Sequence, residues 1–373
     1  MRDRRSAAHV MNKLERTVLY SNQIRSVVAA GLLMAGMQPV MAQDNAFAPG
    51  WTMDPAASAL QFQSVKNETK VESSTFATYT GTIDETGLAT VRVLMDSVNT
   101  NVDLRNVRMR FLMFETFQYP EAVITMQIDP ATLADLEVVR RKSFVAPYTI
   151  SLHGVSAESE AEIVVTLLDD DRVLVSAAKP LTLLMSDFNL DGGVAKLEEA
   201  AKVDILPFTT VTFDFIFDRA ESATDYISTS AALAADAGLN AAAMEEEGEF
   251  TIEACMGRFD TMSQANSVYF ATGSSRLESR SGPVLDSIVE IINRCPELTI
   301  EVAGHTDSDG TETENQALSV TRARAVRTYL IDAGADGDRI EAVGYGETLP
   351  VVPNDSSENK ARNRRIEFTI IGG

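Results

Sequence analysis

Histidine and cysteine are almost missing from this chain: three and two, respectively, in 373 residues. Beyond residue 42 only His153 and His305 remain, in segments of different pattern. A zinc site needs three or four N, S or O ligands within reach, so no metal site is expected. No nucleophile stands beside a convincing base, so no catalytic residue is assigned. Positive charge is short as well. The 32 Lys and Arg face 54 Asp and Glu, a net charge of −22, which excludes nucleic-acid binding through phosphates and is read as serving solubility. No apolar run reaches the roughly 20 residues of a membrane-spanning helix.

The nearest approach to such a run is at the start. Arg2, Arg4, Arg5, Lys13, Arg16 and Arg25 precede "VVAAGLLMAGM" and "PVMAQ", the basic, apolar and small-residue order of a secretory signal peptide. Cleavage is expected after Ala42, with Met1 or Met11 as the start, and the product is expected in the periplasm. Removing residues 1–42 takes away six Lys/Arg and two Asp/Glu, leaving a net charge near −26. Export favours a Cys255–Cys295 disulfide over two buried thiols. Cys255 sits on the helical pattern Ile252, Met256, Phe259, Met262, and Cys295 ends the pattern Leu285, Ile288, Val289, Ile292.

From about residue 50 to 218 the sequence reads as short strands of period two. Examples are Leu60 and Phe62; Val91, Val93 and Met95; Ile163, Val165 and Leu167; and Val211, Phe213, Phe215 and Phe217. Turn signals such as "DETG" and "DDDR" separate them, which predicts an antiparallel barrel or sandwich. "RNVRMRFLMFETFQYP" breaks the pattern and reads as a helical crossover or lid. Residues 219–250 are rich in Ala, Ser and acidic groups and read as a linker, helical in part. Residues 251–373 alternate strand and helix, including a strand at "SVYF", which predicts an α+β sandwich.

In the helix expected at 316–334, Leu318, Ala325, Val326, Tyr329 and Ala333 mark a core face, and Arg322 lies within it, whereas Arg324 and Arg327 point to water. In the last strand Arg364 is in phase with the inward Ile366, Phe368 and Ile370, while Arg365 is not. Asp307, Thr306 and Asn315 stand in the loop between strand and helix. Asp307 and Arg322 either fasten that loop as a buried ion pair or form the anionic and cationic walls of a pocket for a zwitterionic end group.

"GHTDSDG", "NQALSVTRARAVRTYL", "GYGETLPVVPN" and "NRRIEF" occur in the order of the peptidoglycan-binding domain of the OmpA family, which this region resembles over about 120 residues. The resemblance implies that Asp307 and Arg322 hold the ends of diaminopimelate in the peptidoglycan stem peptide, with Asn315, Arg364 and Thr306 beside them. One departure is that Asn359 and Lys360 stand where the family carries Gly and Arg.

The earlier region resembles the YceI family through Asp54, Pro55 and Ser58; Ser97, Thr100 and Arg105; Phe114, Phe117, Tyr119 and Pro120; and His153, Gly154 and Val155. Asn106 and "SAESEAE" depart from the family pattern. The resemblance implies an all-β lipocalin-like barrel of eight strands that holds an isoprenoid-type lipid, a polyprenyl chain or an isoprenoid quinone. Phe62, Phe111, Leu112, Phe114 and Phe117 are the expected lining, and His153 is expected to hold a turn. A barrel filled by its own side chains and acting as an interaction module is the first alternative; an integral outer-membrane barrel is the second.

Overall fold

The computed structural model describes residues 45–236, 248–265 and 267–372. The expected signal peptide and residues 237–247 of the expected linker lie outside the described residues.

The period-two segments form β1 (Trp51–Met53), β2 (Ala59–Lys66), β3 (Lys70–Phe76), β4 (Tyr79–Ile83), β5 (Leu88–Leu94), β6 (Val98–Asn99), β7 (Glu121–Gln127), β8 (Arg141–Leu152), β9 (Val155–Asp169), β10 (Arg172–Ala177), β11 (Leu181–Leu184) and β12 (Phe208–Arg219). Neighbours run β1-β4-β5-β7-β8-β9-β10-β12, and β12 pairs back onto β1 to close an eight-stranded antiparallel barrel. β12 is long enough to take β10 and then β11 on one side and β1 and then β2 on the other. The corner between β1 and β2 is built by Asp54. Its carboxylate accepts the amide N–H of Ala56 and of Ala57, and the Ser58 hydroxyl donates to its carbonyl.

Alternation fixes which face is which. On β2, Leu60 and Phe62 are buried while Gln61 and Gln63 are exposed; on β9, Ala161, Ile163 and Val165 are buried while Glu158 and Glu160 face water. A barrel embedded in lipid is apolar outside and polar inside. This one is the reverse, which disfavours the outer-membrane alternative. No helix among the described residues is long and apolar enough to cross a membrane.

Helical segments lie at both ends of the barrel, with Leu136–Val139 beside the β9–β10 turn and the aromatic crossover at the opposite end. The aromatic crossover is α1 (Asp103–Arg108), continued by a π-helical turn at Met109–Met113. α2 (Leu136–Val139) and α3 (Asp191–Ala201) follow, and Gly193 of α3 lets its backbone approach the turn so closely that a Cβ would press on Met113. α4 (Ala223–Asp236) falls in the Ala-rich segment.

The last third contains α5 (Ile252–Ala265), α6 (Gly282–Arg294), β13 (Thr299–His305), α7 (Glu312–Asp332), β14 (Ile340–Gly346), α8 (Ser357–Asn363) and β15 (Ile366–Gly372). Its sheet runs β14-β13-β15, with β14 parallel and β15 antiparallel to β13. The expected "SVYF" strand appears only as a single bridge, Phe270 to Leu277. The Cys255–Cys295 disulfide joins α5 to the end of α6. The buried face of α7 is Asn315, Ser319, Arg322, Ala323, Val326 and Leu330, so Leu318, Ala325 and Ala333 fall off the stripe expected for them. α7 lies on the sheet through glycines: a Cβ at Gly304 or Gly344 would collide with the backbone at Ser319 and Val320.

Candidate binding sites

At the end of β13 the chain turns out through Gly310, whose φ of +100° suits glycine. Asp307 closes that turn: its Oδ1 accepts the Asp309 amide at 3.0 Å, and its Oδ2 accepts Arg364 Nη1 at 2.5 Å. Asp307 is buried, whereas nearly half of the Arg364 side chain is exposed. The register expected for the last strand is therefore corrected. Arg364 caps α8 ahead of β15, and it is Arg365 that is buried, donating to Glu367 Oε1 at 2.6 Å and to the carbonyl of Leu349. A helix interposed before the strand resets its phase, which alternation alone cannot register.

Arg322 does not reach Asp307 as an ion pair. Its Nε donates to the carbonyl of Ser274 at 3.0 Å, and its guanidinium lies 5.0 Å from the Phe270 ring. Burial, and then the charge of Arg364, hold its pKa below the usual arginine value, with Asp307 opposing them. No carboxylate pairs with it among the described residues. Arg324 is exposed as expected, but Arg327 is half-buried and donates to the carbonyls of Ile340 and Gly337.

Asn315 turns out to be a clamp within the loop. Its Nδ2 donates to the carbonyls of Asp307 and Asp309 and to Glu347 Oε2 at 3.2, 3.0 and 2.5 Å. Just before it, a capping box between Thr311 and Glu314 starts α7. Thr306 Oγ1 is buried beside Asp307 and has no partner. Lys360, which departs from the family residue, still reaches the loop, with Nζ 2.7 Å from Asp309 Oδ1. Sequence reasoning missed Ser274, Phe270 and Glu347. Glu347 was within reach, in the quoted "GYGETLP"; Ser274 and Phe270 carry no local signal.

The barrel encloses a cavity of about 770 Å³, within the range of about 300–1,000 Å³ typical of ligand pockets. Phe62 and Phe114 line it, and Phe76 stands between them at 5.2 and 6.2 Å between ring centroids. Phe111, Leu112 and Phe117, expected in the lining, do not reach it. The π-helical turn directs Met109, Met113 and Phe114 to the cavity, and Phe111 and Leu112 are buried outside it. The filled-barrel alternative is disfavoured by that open volume. His153 holds the β8–β9 turn: Nδ1 is 3.2 Å from the Phe188 carbonyl, and Nε2 is 3.7 Å from Glu115, whose pKa it lowers together with Lys196.

A closed, apolar-cored barrel is followed by a small α+β domain in which Asp307 pairs with Arg364 and the buried Arg322 feels the charge of both. Residues 51–217 match the family model of the YceI-like domain and residues 269–364 that of the OmpA family, so the chain joins a YceI-like domain to an OmpA-family domain. Outer membrane porin F of Pseudomonas aeruginosa is 41% identical over 104 residues, 28% of this chain and 30% of that protein. The peptidoglycan-binding protein ArfA of Mycobacterium tuberculosis is 32% identical over 103 residues, 28% of this chain and 32% of that protein. A solved polyisoprenoid binding domain from Saccharophagus degradans is 31% identical, covering 45% of this chain and 98% of that one, with a TM-score of 0.44. The chain spans 30–54% of the length of the first curated relatives it matches.

Proposed function

We propose that this is a non-enzymatic periplasmic protein that binds peptidoglycan through Asp307 and Arg322 and holds an isoprenoid-type lipid in its barrel. The observation that carries the first half is the buried Arg322 guanidinium, which lacks a carboxylate among the described residues while Asp307 nearby engages Arg364. A desolvated cation in this state is completed by a carboxylate from outside, and the anionic Asp307 receives the ammonium of the same end group. Diaminopimelate in the stem peptide carries both groups. Arg364, half-exposed, neutralises Asp307 when the pocket is empty. Asn315 shapes the loop, and the unpartnered Thr306 hydroxyl is available to the ligand.

The barrel's cavity supports the second half, since an interior of this volume lined mainly by apolar side chains suits a hydrocarbon chain. Two measurements test the reading. Truncating one side of a desolvated charge contact costs roughly 2–5 kcal/mol, so Asp307→Ala and Arg322→Ala should each abolish co-sedimentation with insoluble peptidoglycan while the fold persists. Normal sedimentation of either variant would remove the pocket assignment. Organic extraction of the purified protein followed by mass spectrometry should release an isoprenoid-type lipid, and repeated absence of one would end the carrier reading.

A further inference from the structure

We propose that α5 is the outer support of the barrel's ligand cavity, and that Gly257 and Arg258 are positioning residues that set the room left for the ligand beside α1. This rests on the reading of the barrel as a lipid site. Neither residue is among the described residues that line the cavity. Both lie beyond residue 217, where the match to the YceI-like domain ends.

Leu104 is the side chain through which they act. It lines the cavity, and its methyl groups also face Gly257, where an added Cβ would lie 2.7 and 2.8 Å from its Cδ1 and Cδ2. Carbons in contact stand about 3.5–4.0 Å apart, so it is the glycine that lets Leu104 lie back against α5. One residue earlier on α1, the Asp103 carboxylate accepts both Nη atoms of Arg258 at 2.7 and 2.9 Å. That fork fixes the start of α1 in direction as well as in distance. α5 packs against the π-helical turn too, and this turn directs Met109, Met113 and Phe114 to the cavity.

Crowding at this contact is relieved by whichever side yields, and α5 is the better held. The Cys255–Cys295 disulfide bonds it to the end of α6. Ser263 Oγ donates to the Phe368 carbonyl at 3.1 Å and accepts the Phe368 amide at 2.7 Å, which fastens the helix along the outer edge of β15. The Arg258 guanidinium stacks 3.7 Å from the Phe250 ring, and Arg294 stacks on the same ring. Leu104, in contrast, is a flexible side chain on a helix of six residues, with the open volume of the cavity beside it. A methyl group at position 257 therefore drives Leu104 toward the cavity by about 1 Å. Space taken there is lost to the ligand.

The test uses delipidated full-length protein and two neutral isoprenoid alcohols, the short farnesol and the long solanesol. Farnesol is small enough to sit elsewhere in the cavity, whereas solanesol fills it. Gly257→Ala should weaken solanesol binding at least about fivefold and leave farnesol within about twofold of wild type. Adding Leu104→Ala should return solanesol to within about twofold of wild type, because it removes the side chain that was displaced. Unchanged solanesol affinity in Gly257→Ala, an equal loss of both alcohols, or no recovery in the double variant overturns the assignment and leaves the lipid reading in place. If wild type binds neither alcohol, the lipid reading falls and the assignment with it. Should Gly257→Ala not fold, Asp103→Asn decides, since Asp103 does not line the cavity. It should speed solanesol dissociation at least about threefold by loosening α1 from Arg258, and an unchanged rate overturns the proposal.

Discussion

Arg322 and Arg364 illustrate how much single residues depend on neighbours far away in the chain. Arg322 is recognisable in the sequence as a cation on a buried helix face, and the structure keeps it there. Its actual supports, the Ser274 carbonyl and the Phe270 ring, are 48 and 52 positions away. Arg364 meets Asp307 from a helix cap and not from a strand register. Glu367 carries a prediction at this scale. Its contact with His305, and then with Arg365, holds its carboxyl down at about 2 against an ordinary 4.5, while burial opposes the shift. A lowered carboxylate pKa contributes stability that is complete above pH 4.5 and lost as pH falls through about 2. After allowance for its partial exposure that contribution is about 2 kcal/mol. Glu367→Gln should be less stable than wild type at pH 7, and its denaturation midpoint should fall less steeply between pH 4.5 and 2. Parallel curves for the two proteins would show that this carboxylate is not responsible.

At the scale of elements, the strands of the barrel were legible because their two faces meet different media, and each apolar position recurs every second residue. The crossover was legible as a break in that pattern. Which of its side chains enter the cavity was not, because a π-helical turn rotates its residues relative to an ordinary helix. That is why Phe114 reaches the cavity whereas Phe111 and Leu112 do not. The apolar stripe of α7 was misplaced for a related reason. This helix rests on β13 and β14 through Gly304 and Gly344, so its closest face holds Ser319 and Ala323 and not the large residues that mark a core face. Overpacking such a contact costs about 1–3 kcal/mol. Gly344→Ala should therefore lower the melting temperature of the C-terminal domain by several degrees in calorimetry. An unchanged C-terminal transition would mean that the helix can stand off from the sheet at little cost.

For the whole molecule the informative contact lies between the two domains. Arg258 on α5 is 1% exposed and grips Asp103, the first residue of α1, with both Nη atoms at 2.7 and 2.9 Å; next to it, Leu104 packs against Gly257. α1 is thus buttressed by α5. Removing one side of a buried pair costs about 3–5 kcal/mol, and less where the partner is half-exposed as Asp103 is. Asp103→Asn should cost about 1–3 kcal/mol and should separate the unfolding transitions of the two domains; coincident transitions in the variant would show that the contact does not couple them. The sequence by itself determined the two folds, the disulfide pair and the acidic, two-part character of the chain, because periodicity, cysteine count and charge are properties of local order and composition. Only the tertiary structure decided that the buried Arg322 has no carboxylate partner among the described residues, and that α5 braces α1. Those outcomes depend on distances between residues tens to more than a hundred positions apart, and no local pattern encodes them.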